Sequence, residues 1–177
     1  IELRPFQRDT VARLVTAGGG ANFSVPGSGK TAVAYAVWAA MRAAEQVHGM
    51  IVSPHSALEA WQEEADACFA DGHIPTIRIR PDRLANSDEV VVNYERLSDT
   101  TTLAAIRAWA RNRKVLVLYD EAHRAKAGAA SQRGAAADLA RAADASMVLT
   151  GTPMPNRKAD LVAIFDLVGR ATVIGSS

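Results

Sequence analysis

The sequence predicts an α/β fold in which helices cover both faces of a mostly parallel sheet. Short apolar runs alternate with longer, alanine-rich segments along the 177 residues, and this alternation is typical of a layered α/β fold. One run, Val115–Tyr119, is apolar at every position, as expected of a strand that is buried on both faces. A glycine-rich turn also joins the first predicted strand directly to a helix.

The first quarter of the chain is predicted to hold two helices with a strand between them. Phe6, Val11 and Leu14 fall on one helical face, so a helix should precede the glycines of Gly18–Gly20. These glycines should end that helix and lead into a strand. The strand is predicted over Ala21–Val25 and the second helix over Ala32–Met41.

Further along the chain, strand and helix patterns alternate to the end. The predicted strands are Met50–Val52, Thr76–Arg80, Glu89–Tyr94, Val115–Tyr119 and Met147–Leu149. The predicted helices are Ser56–Phe69, Thr102–Arg111, Gln132–Ala143 and Ala159–Val168. Ser56 and Glu59 have capping-box spacing, which places the start of the first of these helices at Ser56.

Composition favours a single domain spanning residues 1–177. Hydrophobic residues make up 49% of the chain, which is ample for a core, and the net charge is only +1. Any nucleic-acid contact should therefore come from a local patch. Cys68 is the single cysteine, so no disulfide can form within these residues. Because neither a secretory signal nor a membrane-spanning run is visible, we expect a cytoplasmic protein with no membrane partner. The first residue is Ile1, which suggests an excised segment.

The segment Ser24–Thr31 has the features of a phosphate-binding loop. Gly27 and Gly29 allow a tight turn that points N–H groups at an anion, and the following helix adds the positive end of its dipole. Lys30 would reach the β- and γ-phosphates, and the Thr31 hydroxyl would bind Mg²⁺. The residues expected to contact a nucleotide are Gly27, Ser28, Gly29, Lys30 and Thr31. The strict pattern has glycine where this chain has Ser24, so a glycine turn before an ordinary helix is the alternative.

Two carboxylates follow the most apolar strand. In open parallel sheets ligands collect at the carboxyl ends of the strands, which places Asp120 where the Mg²⁺ of a loop-bound nucleotide would lie. Glu121 has the chemistry to orient and activate an attacking water. A polar turn is the alternative for this pair alone. Together with Lys30, the two carboxylates supply the parts that phosphoryl transfer needs.

At this point the chain resembles the first RecA-like lobe of superfamily 2 helicases and translocases, a P-loop NTPase fold. Asp120-Glu121-Ala122-His123 looks like a DEAH box, and Leu149–Pro153, followed by Asn156, is similar to the third motif of Swi-Snf-type double-stranded DNA translocases. Leu3–Gln7 resembles the opening motif of that group. The segments that look like its DNA-facing motifs are Ile51–Pro54, Trp61–Glu64 and Val91–Glu95.

The resemblance implies an ATP·Mg²⁺ site and a nucleic-acid partner, with duplex DNA favoured over RNA. Gln7 would read the adenine. A second RecA-like lobe would supply arginine fingers that this chain lacks, because Val173–Ser176 resembles the end of the first lobe. We therefore expect the isolated lobe to hydrolyse ATP weakly or not at all.

The resemblance also assigns residues that couple the ATP site to nucleic acid. Ser53 and Asn93 would touch the phosphate backbone of one strand, or else serve as solvated strand ends or helix caps. Thr150 and Thr152 would relay between the two sites. His123 would hydrogen-bond the threonine motif and is not expected to bind a metal, since no companion Cys or His has ligand spacing.

Two further features carry an ordinary structural interpretation beside the functional one. The basic cluster of Arg78, Arg80 and Arg83 fits a nucleic-acid patch and an ordinary solvated surface equally well. Trp61 lies in an amphipathic helix, which favours packing over base stacking.

The first functional hypothesis is the ATP-binding lobe of a DNA-dependent ATPase that couples hydrolysis to movement on duplex DNA. An alanine- and arginine-rich composition suits a high-GC bacterial source, so phage defence, DNA repair and a restriction-type nuclease are possible settings. The rival from another class is a non-hydrolysing, nucleotide-dependent interaction module.

Overall fold

A computed structural model describes residues 2–69, 76–78, 84, 87–124, 130–151 and 164–168, with 76–78 described by their backbone. Six strands form one sheet in the order β1-β6-β5-β2-β4-β3. The strands are β1 (Gly19–Asn22), β2 (His48–Ser53), β3 (Thr76–Arg78), β4 (Glu89–Asn93), β5 (Val115–Asp120) and β6 (Ala145–Leu149). Every described strand pairing is parallel, which confirms the predicted α/β fold.

Five α-helices and two 3₁₀ turns connect these strands within the described residues. The helices are α1 (Pro5–Ala17), α2 (Lys30–Glu45), α3 (Leu58–Cys68), α4 (Thr100–Ala110) and α5 (Ala130–Ala142). The 3₁₀ turns are His55–Ala57 and Tyr94–Ser98. Residues 164–168, the described part of the last predicted helix, are also helical. No helix among the described residues combines the length and the apolarity needed to cross a bilayer.

The strand side chains alternate between two apolar layers. On one face Leu116 and Leu118 pack with α1, α2 and α3. On the other face Val117 and Tyr119 pack with α4, α5 and residues 164–168. Because both faces are covered, β5 is apolar throughout, as the sequence predicts. The sheet thereby leaves its carboxyl edge as the place where polar strand ends meet.

The first strand differs from the prediction of Ala21–Val25. It begins at Gly19, where a side chain would collide with the carbonyl oxygen of Ser146 on the neighbouring strand. It ends at Asn22, because the Asn22 Oδ1 accepts hydrogen bonds from both the N–H and the hydroxyl of Ser24. This Asx-type turn takes Phe23–Val25 out of the sheet despite their apolar character.

Four helix starts also differ from the prediction. The helices α2 and α5 begin at Lys30 and Ala130 instead of Ala32 and Gln132, and the other two differ for a local reason. The capping box at Ser56 is wrong: a 3₁₀ turn occupies His55–Ala57, and α3 begins at Leu58 without a side-chain cap. The helix predicted from Thr102 begins at Thr100 instead, because the Asp99 carboxylate accepts from the N–H groups of Thr101 and Thr102.

Some predicted residues lie outside the described part of the chain. They are Ile79, Arg80, Arg83, Thr152, Pro153, Asn156, residues 159–163 of the last predicted helix and the segment Val173–Ser176.

Candidate functional site

The strand register brings the two predicted halves of the site to one edge of the sheet. Leu149 of β6 lies opposite Asn22 of β1 on one side and opposite Asp120 of β5 on the other. Since neighbouring strands are about 4.8 Å apart, the Cα atoms of Asn22 and Asp120 are roughly 10 Å apart. The loop that follows Asn22 and the carboxylates that follow β5 are thus separated only by the end of β6.

The glycines of the loop adopt the backbone conformation that the motif requires. Gly27 and Gly29 have φ angles of 76° and 78°, in the left-handed region that favours glycine. Gly29 is the N-cap of α2, so Lys30 and Thr31 begin that helix. The N–H groups of the first turn and the positive end of the helix dipole therefore face the loop, as an anion site needs.

Lys30 is held over its own loop by neutral acceptors. The Lys30 Nζ donates to the carbonyl oxygens of Ser24 at 2.9 Å and Val25 at 3.1 Å. Within the described residues it makes no ion pair, so its positive charge is not neutralised by a protein carboxylate. An anion bound at the loop would meet an uncompensated ammonium group.

The Gln7 side chain of α1 is hydrogen-bonded to the loop. Its side chain is almost completely buried, with Oε1 accepting from the Arg4 N–H at 2.8 Å and Nε2 donating to the Ser28 carbonyl oxygen at 2.9 Å. A Cβ added at Gly29 would lie 2.5 Å from the Gln7 Nε2. Gln7 therefore fastens α1 to the loop, while its reading of adenine stays a prediction.

Asp120 is oriented by two buried donors on a single oxygen. Its Oδ2 accepts from the Ser53 hydroxyl at 2.9 Å and from the Trp61 indole N–H at 2.8 Å. Its main-chain oxygen accepts from the Tyr94 hydroxyl at 2.8 Å. Burial raises the pKa of Tyr94 well above its ordinary value, so the phenol stays a neutral donor. The Oδ1 of Asp120 has no hydrogen-bond partner among the described residues, so a metal bound there would compete with no protein donor.

Ser53 departs from its predicted role at the nucleic-acid backbone. The side chain is completely buried and its hydroxyl points at Asp120. A direct phosphate contact by this hydroxyl does not fit that position, because the side chain is buried and already donates to a carboxylate. Trp61 packs as predicted, with its ring 5.2 Å from that of Tyr35 in an edge-on arrangement. Its hydrogen bond to Asp120 was not predicted.

Glu121 has a strained backbone and a polar neighbour. Its φ angle is 45°, a left-handed conformation that non-glycine residues rarely adopt. Its Oε2 lies 3.2 Å from the His123 Nδ1, and that nitrogen lies 3.2 Å from the Thr150 hydroxyl. The predicted bond from His123 to the threonine motif is therefore present. His123 thus contacts both Glu121, which follows β5, and the buried Thr150, which follows β6.

Asn93 occupies one of the two positions expected for it. Its Oδ1 accepts from the Arg96 N–H at 3.3 Å and caps the 3₁₀ turn Tyr94–Ser98. The helix cap is thus observed, and contact with nucleic acid remains a prediction. Arg78 lies in β3, but its side chain is outside what the structure describes.

The sequence interpretation gave no positioning role to three residues that hold the site in place. Asn22 ends β1 and anchors Ser24, Tyr94 supports the main chain of Asp120, and Gly151 packs against the loop. A Cβ added at Gly151 would lie 3.0 Å from the Pro26 Cδ. A local signal existed only for Gly151, whose place in the threonine motif marks it as a backbone close to another element.

The loop and the carboxylate across from it fit a nucleoside triphosphate with Mg²⁺. The loop offers the Lys30 ammonium, the N-terminus of α2 and the Ser28 hydroxyl, which is buried without a hydrogen-bond partner among the described residues. Across the end of β6, Asp120 offers an oriented carboxylate. One or two carboxylates together with substrate phosphates are the usual protein environment of Mg²⁺.

Comparison with known proteins gives one family. A family model described as the SNF2-related domain matches residues 23–173. No curated protein matches the sequence.

Solved structures show the same fold at low sequence identity. The SWI2/SNF2 ATPase core of Sulfolobus solfataricus, in complex with dsDNA, is 24% identical with a TM-score of 0.77, and the match covers 95% of this chain. The Hef helicase domain of Pyrococcus furiosus is 18% identical with a TM-score of 0.69 over 95% of this chain. The UvsW helicase of bacteriophage T4 is 16% identical with a TM-score of 0.68 over 96% of this chain.

The matches confirm the predicted RecA-like fold and cover only part of each relative. This chain spans 36% of the Sulfolobus protein, 37% of the Pyrococcus protein and 59% of the phage protein.

Proposed function

The chain belongs to the SNF2-related domain family, and from that premise we propose that it is the ATP-binding lobe of a DNA-dependent ATPase that moves along duplex DNA. The observation that carries the proposal is the register through Leu149, which brings the Lys30 loop and the Asp120 carboxylate to the same edge of the sheet. Phosphoryl transfer requires positive charge at the phosphates and a carboxylate that holds the metal ion bound to them, and Lys30 and Asp120 are placed to supply these two groups.

In this proposal each site residue has one task. Gly27, Ser28, Gly29 and Lys30 hold the phosphates, while Thr31 and Asp120 hold Mg²⁺. The metal, when bound, neutralises charge on the phosphate oxygens. Glu121 orients the attacking water and accepts its proton. The contacts of the His123 Nδ1 with Glu121 and with Thr150 would couple the state of this acid to the end of β6 next to the loop.

Movement on DNA would need more than this lobe. The Sulfolobus SWI2/SNF2 core, of which this chain spans 36%, was solved with dsDNA, and this supports duplex DNA as the partner. A second RecA-like lobe would complete the ATP site with arginine. Asn93 ends β4 and Thr150 follows β6, at the same edge of the sheet but with β5 and β2 between them. Asn93 would serve the contact with DNA, and Thr150 would serve its coupling to ATP.

The test is ATP turnover by the intact protein with and without duplex DNA. Wild type should be stimulated by the duplex, and Glu121→Gln should bind ATP normally and lose turnover by about 10²-fold or more. Glu45→Gln is the matched control, since Glu45 is an exposed partner of Lys114 away from the site. Normal turnover of Glu121→Gln would remove Glu121 from its role. Nucleotide binding without any turnover in the wild type would favour the non-hydrolysing interaction module.

A further inference from the structure

The three tryptophans of the chain have different hydrogen-bond acceptors. The Trp38 indole donates to the Val47 carbonyl oxygen at 3.1 Å, and the Trp109 indole donates to the Ser87 carbonyl oxygen at 2.9 Å. The Trp61 indole alone donates to a carboxylate, at 2.8 Å from the Asp120 Oδ2. All three rings are at least 98% buried, so each indole N–H needs its acceptor.

The Trp61 ring is itself fixed in place. Tyr35 of α2 packs edge-on against it, and the Tyr35 hydroxyl donates to the Trp61 carbonyl oxygen at 3.0 Å. The ring therefore cannot follow the carboxylate if that group rotates. A second donor, the Ser53 hydroxyl, meets the same oxygen from the end of β2.

We propose that Trp61 is a positioning residue of the metal site. With Ser53 it holds the Oδ2 of Asp120 and so fixes the carboxylate before any metal arrives, with Oδ1 left without a protein donor among the described residues. Hydrogen bonds to a charged acceptor are stronger than neutral ones, and partners that orient a metal ligand affect metal affinity strongly. The inference rests on the proposed function, because it requires Asp120 to bind Mg²⁺.

The hydrogen bond can be tested without nucleotide. In a ¹H–¹⁵N spectrum of the chain the three indole N–H groups give three peaks, and Trp61→Phe identifies the peak of Trp61. Asp120→Asn should move that peak upfield, because a neutral acceptor replaces a charged one, and should leave the Trp38 and Trp109 peaks in place. If Asp120→Asn moves all three indole peaks, Ser53→Ala is used instead. This variant removes only the other donor to Oδ2 and should move the Trp61 peak alone. A Trp61 peak that stays unmoved in the folded variant overturns the proposal.

The positioning role is tested by the Mg²⁺ dependence of nucleotide binding. A fluorescent ATP analogue is titrated at several Mg²⁺ concentrations into wild type, Trp61→Phe and Trp109→Phe. Trp109 is the matched control, because its indole is equally buried and its acceptor is a backbone oxygen on the other face of the sheet. Trp61→Phe should raise the Mg²⁺ concentration for half-maximal effect roughly tenfold and leave Mg²⁺-free binding unchanged. Trp109→Phe should change neither.

The outcomes separate this inference from the proposed function. Equal Mg²⁺ dependence in the two phenylalanine variants, with normal binding by wild type, overturns the positioning role and leaves the proposed function standing. A wild type that gains no affinity from Mg²⁺ overturns both.

Discussion

The indole nitrogen of Trp61 donates to the Asp120 Oδ2 across 2.8 Å, which joins helix α3 to the carboxyl end of β5. The Asp120 carboxylate, which we assign to Mg²⁺, is therefore held by buried side chains independently of any ligand. Preorganisation of this kind avoids a reorientation cost when a ligand binds. We therefore expect substitutions in α3 to affect the site through Asp120.

Alanine should be tolerated poorly at Gly29 of the loop and well at a glycine that has open space around it. Gly29→Ala forces a left-handed φ of 78° on a residue with a Cβ and brings that Cβ to 2.5 Å from the Gln7 Nε2. We expect a loss of about 1–3 kcal/mol in the free energy of unfolding, together with weaker nucleotide binding. Chemical denaturation measures the first effect.

Gly134→Ala provides the control for this substitution. Gly134 lies inside α5 with open space where its Cβ would be. Alanine there should stabilise the protein by about 0.5–1 kcal/mol. Equal effects of the two substitutions would contradict the account of the loop.

Removal of the Gln7 side chain should weaken ATP binding more than GTP binding. The Ser28 carbonyl loses its donor, which loosens the loop for any nucleotide, and the predicted reading of adenine is lost in addition. Competition by ATP and GTP against a fluorescent analogue measures both affinities for Gln7→Ala, with Gln62→Ala as control, since the Gln62 amide pairs with Asp66 on α3. Equal affinities of wild type for ATP and GTP would argue against the Gln7 assignment.

The loss of stability at acidic pH should depend in part on Asp99. The Thr102 hydroxyl and the N–H groups of Thr102 and Thr101 lower the pKa of the Asp99 carboxyl below its ordinary value. A carboxyl whose pKa is lowered by folding stabilises the protein above its unfolded pKa of about 3.9 and loses that contribution as the pH falls through the folded pKa. Asp99→Asn keeps a cap but removes the titration, so its melting temperature should fall less than that of wild type between about pH 5 and pH 2. Asp9→Asn, the same exchange on the exposed surface of α1, should retain the wild-type slope.

The sequence predicted the sheet well because its strands are apolar runs with a physical reason to be buried. Val115–Tyr119 is apolar on both faces, and both faces are covered. The end of β1 was misplaced for a local reason: Phe23 and Val25 are apolar and suit a strand, yet the Asn22 side chain captures Ser24 and turns the chain.

The sequence indicates candidate site residues where they adjoin in the chain, and it does not show contacts between residues that are far apart in the chain. The loop Ser24–Thr31 and the pair Asp120–Glu121 are continuous motifs with known chemistry. Trp61 and Asp120 are 59 residues apart, and only the fold of α3 onto β5 brings them together. Burial also changed the assignment of Ser53, since a strand end seen in sequence does not show which neighbour its hydroxyl meets.

The most direct measurement is the affinity of an ATP analogue, with and without Mg²⁺, for wild type, Lys30→Ala, Asp120→Ala and the control Lys114→Ala. Lys114 is an exposed lysine paired with Glu45. The account predicts that Lys30→Ala weakens binding in both conditions, that Asp120→Ala abolishes only the gain due to Mg²⁺, and that Lys114→Ala behaves as wild type. A full Mg²⁺ gain in Asp120→Ala, or unchanged binding by Lys30→Ala, would contradict a site in which these two side chains share one ligand.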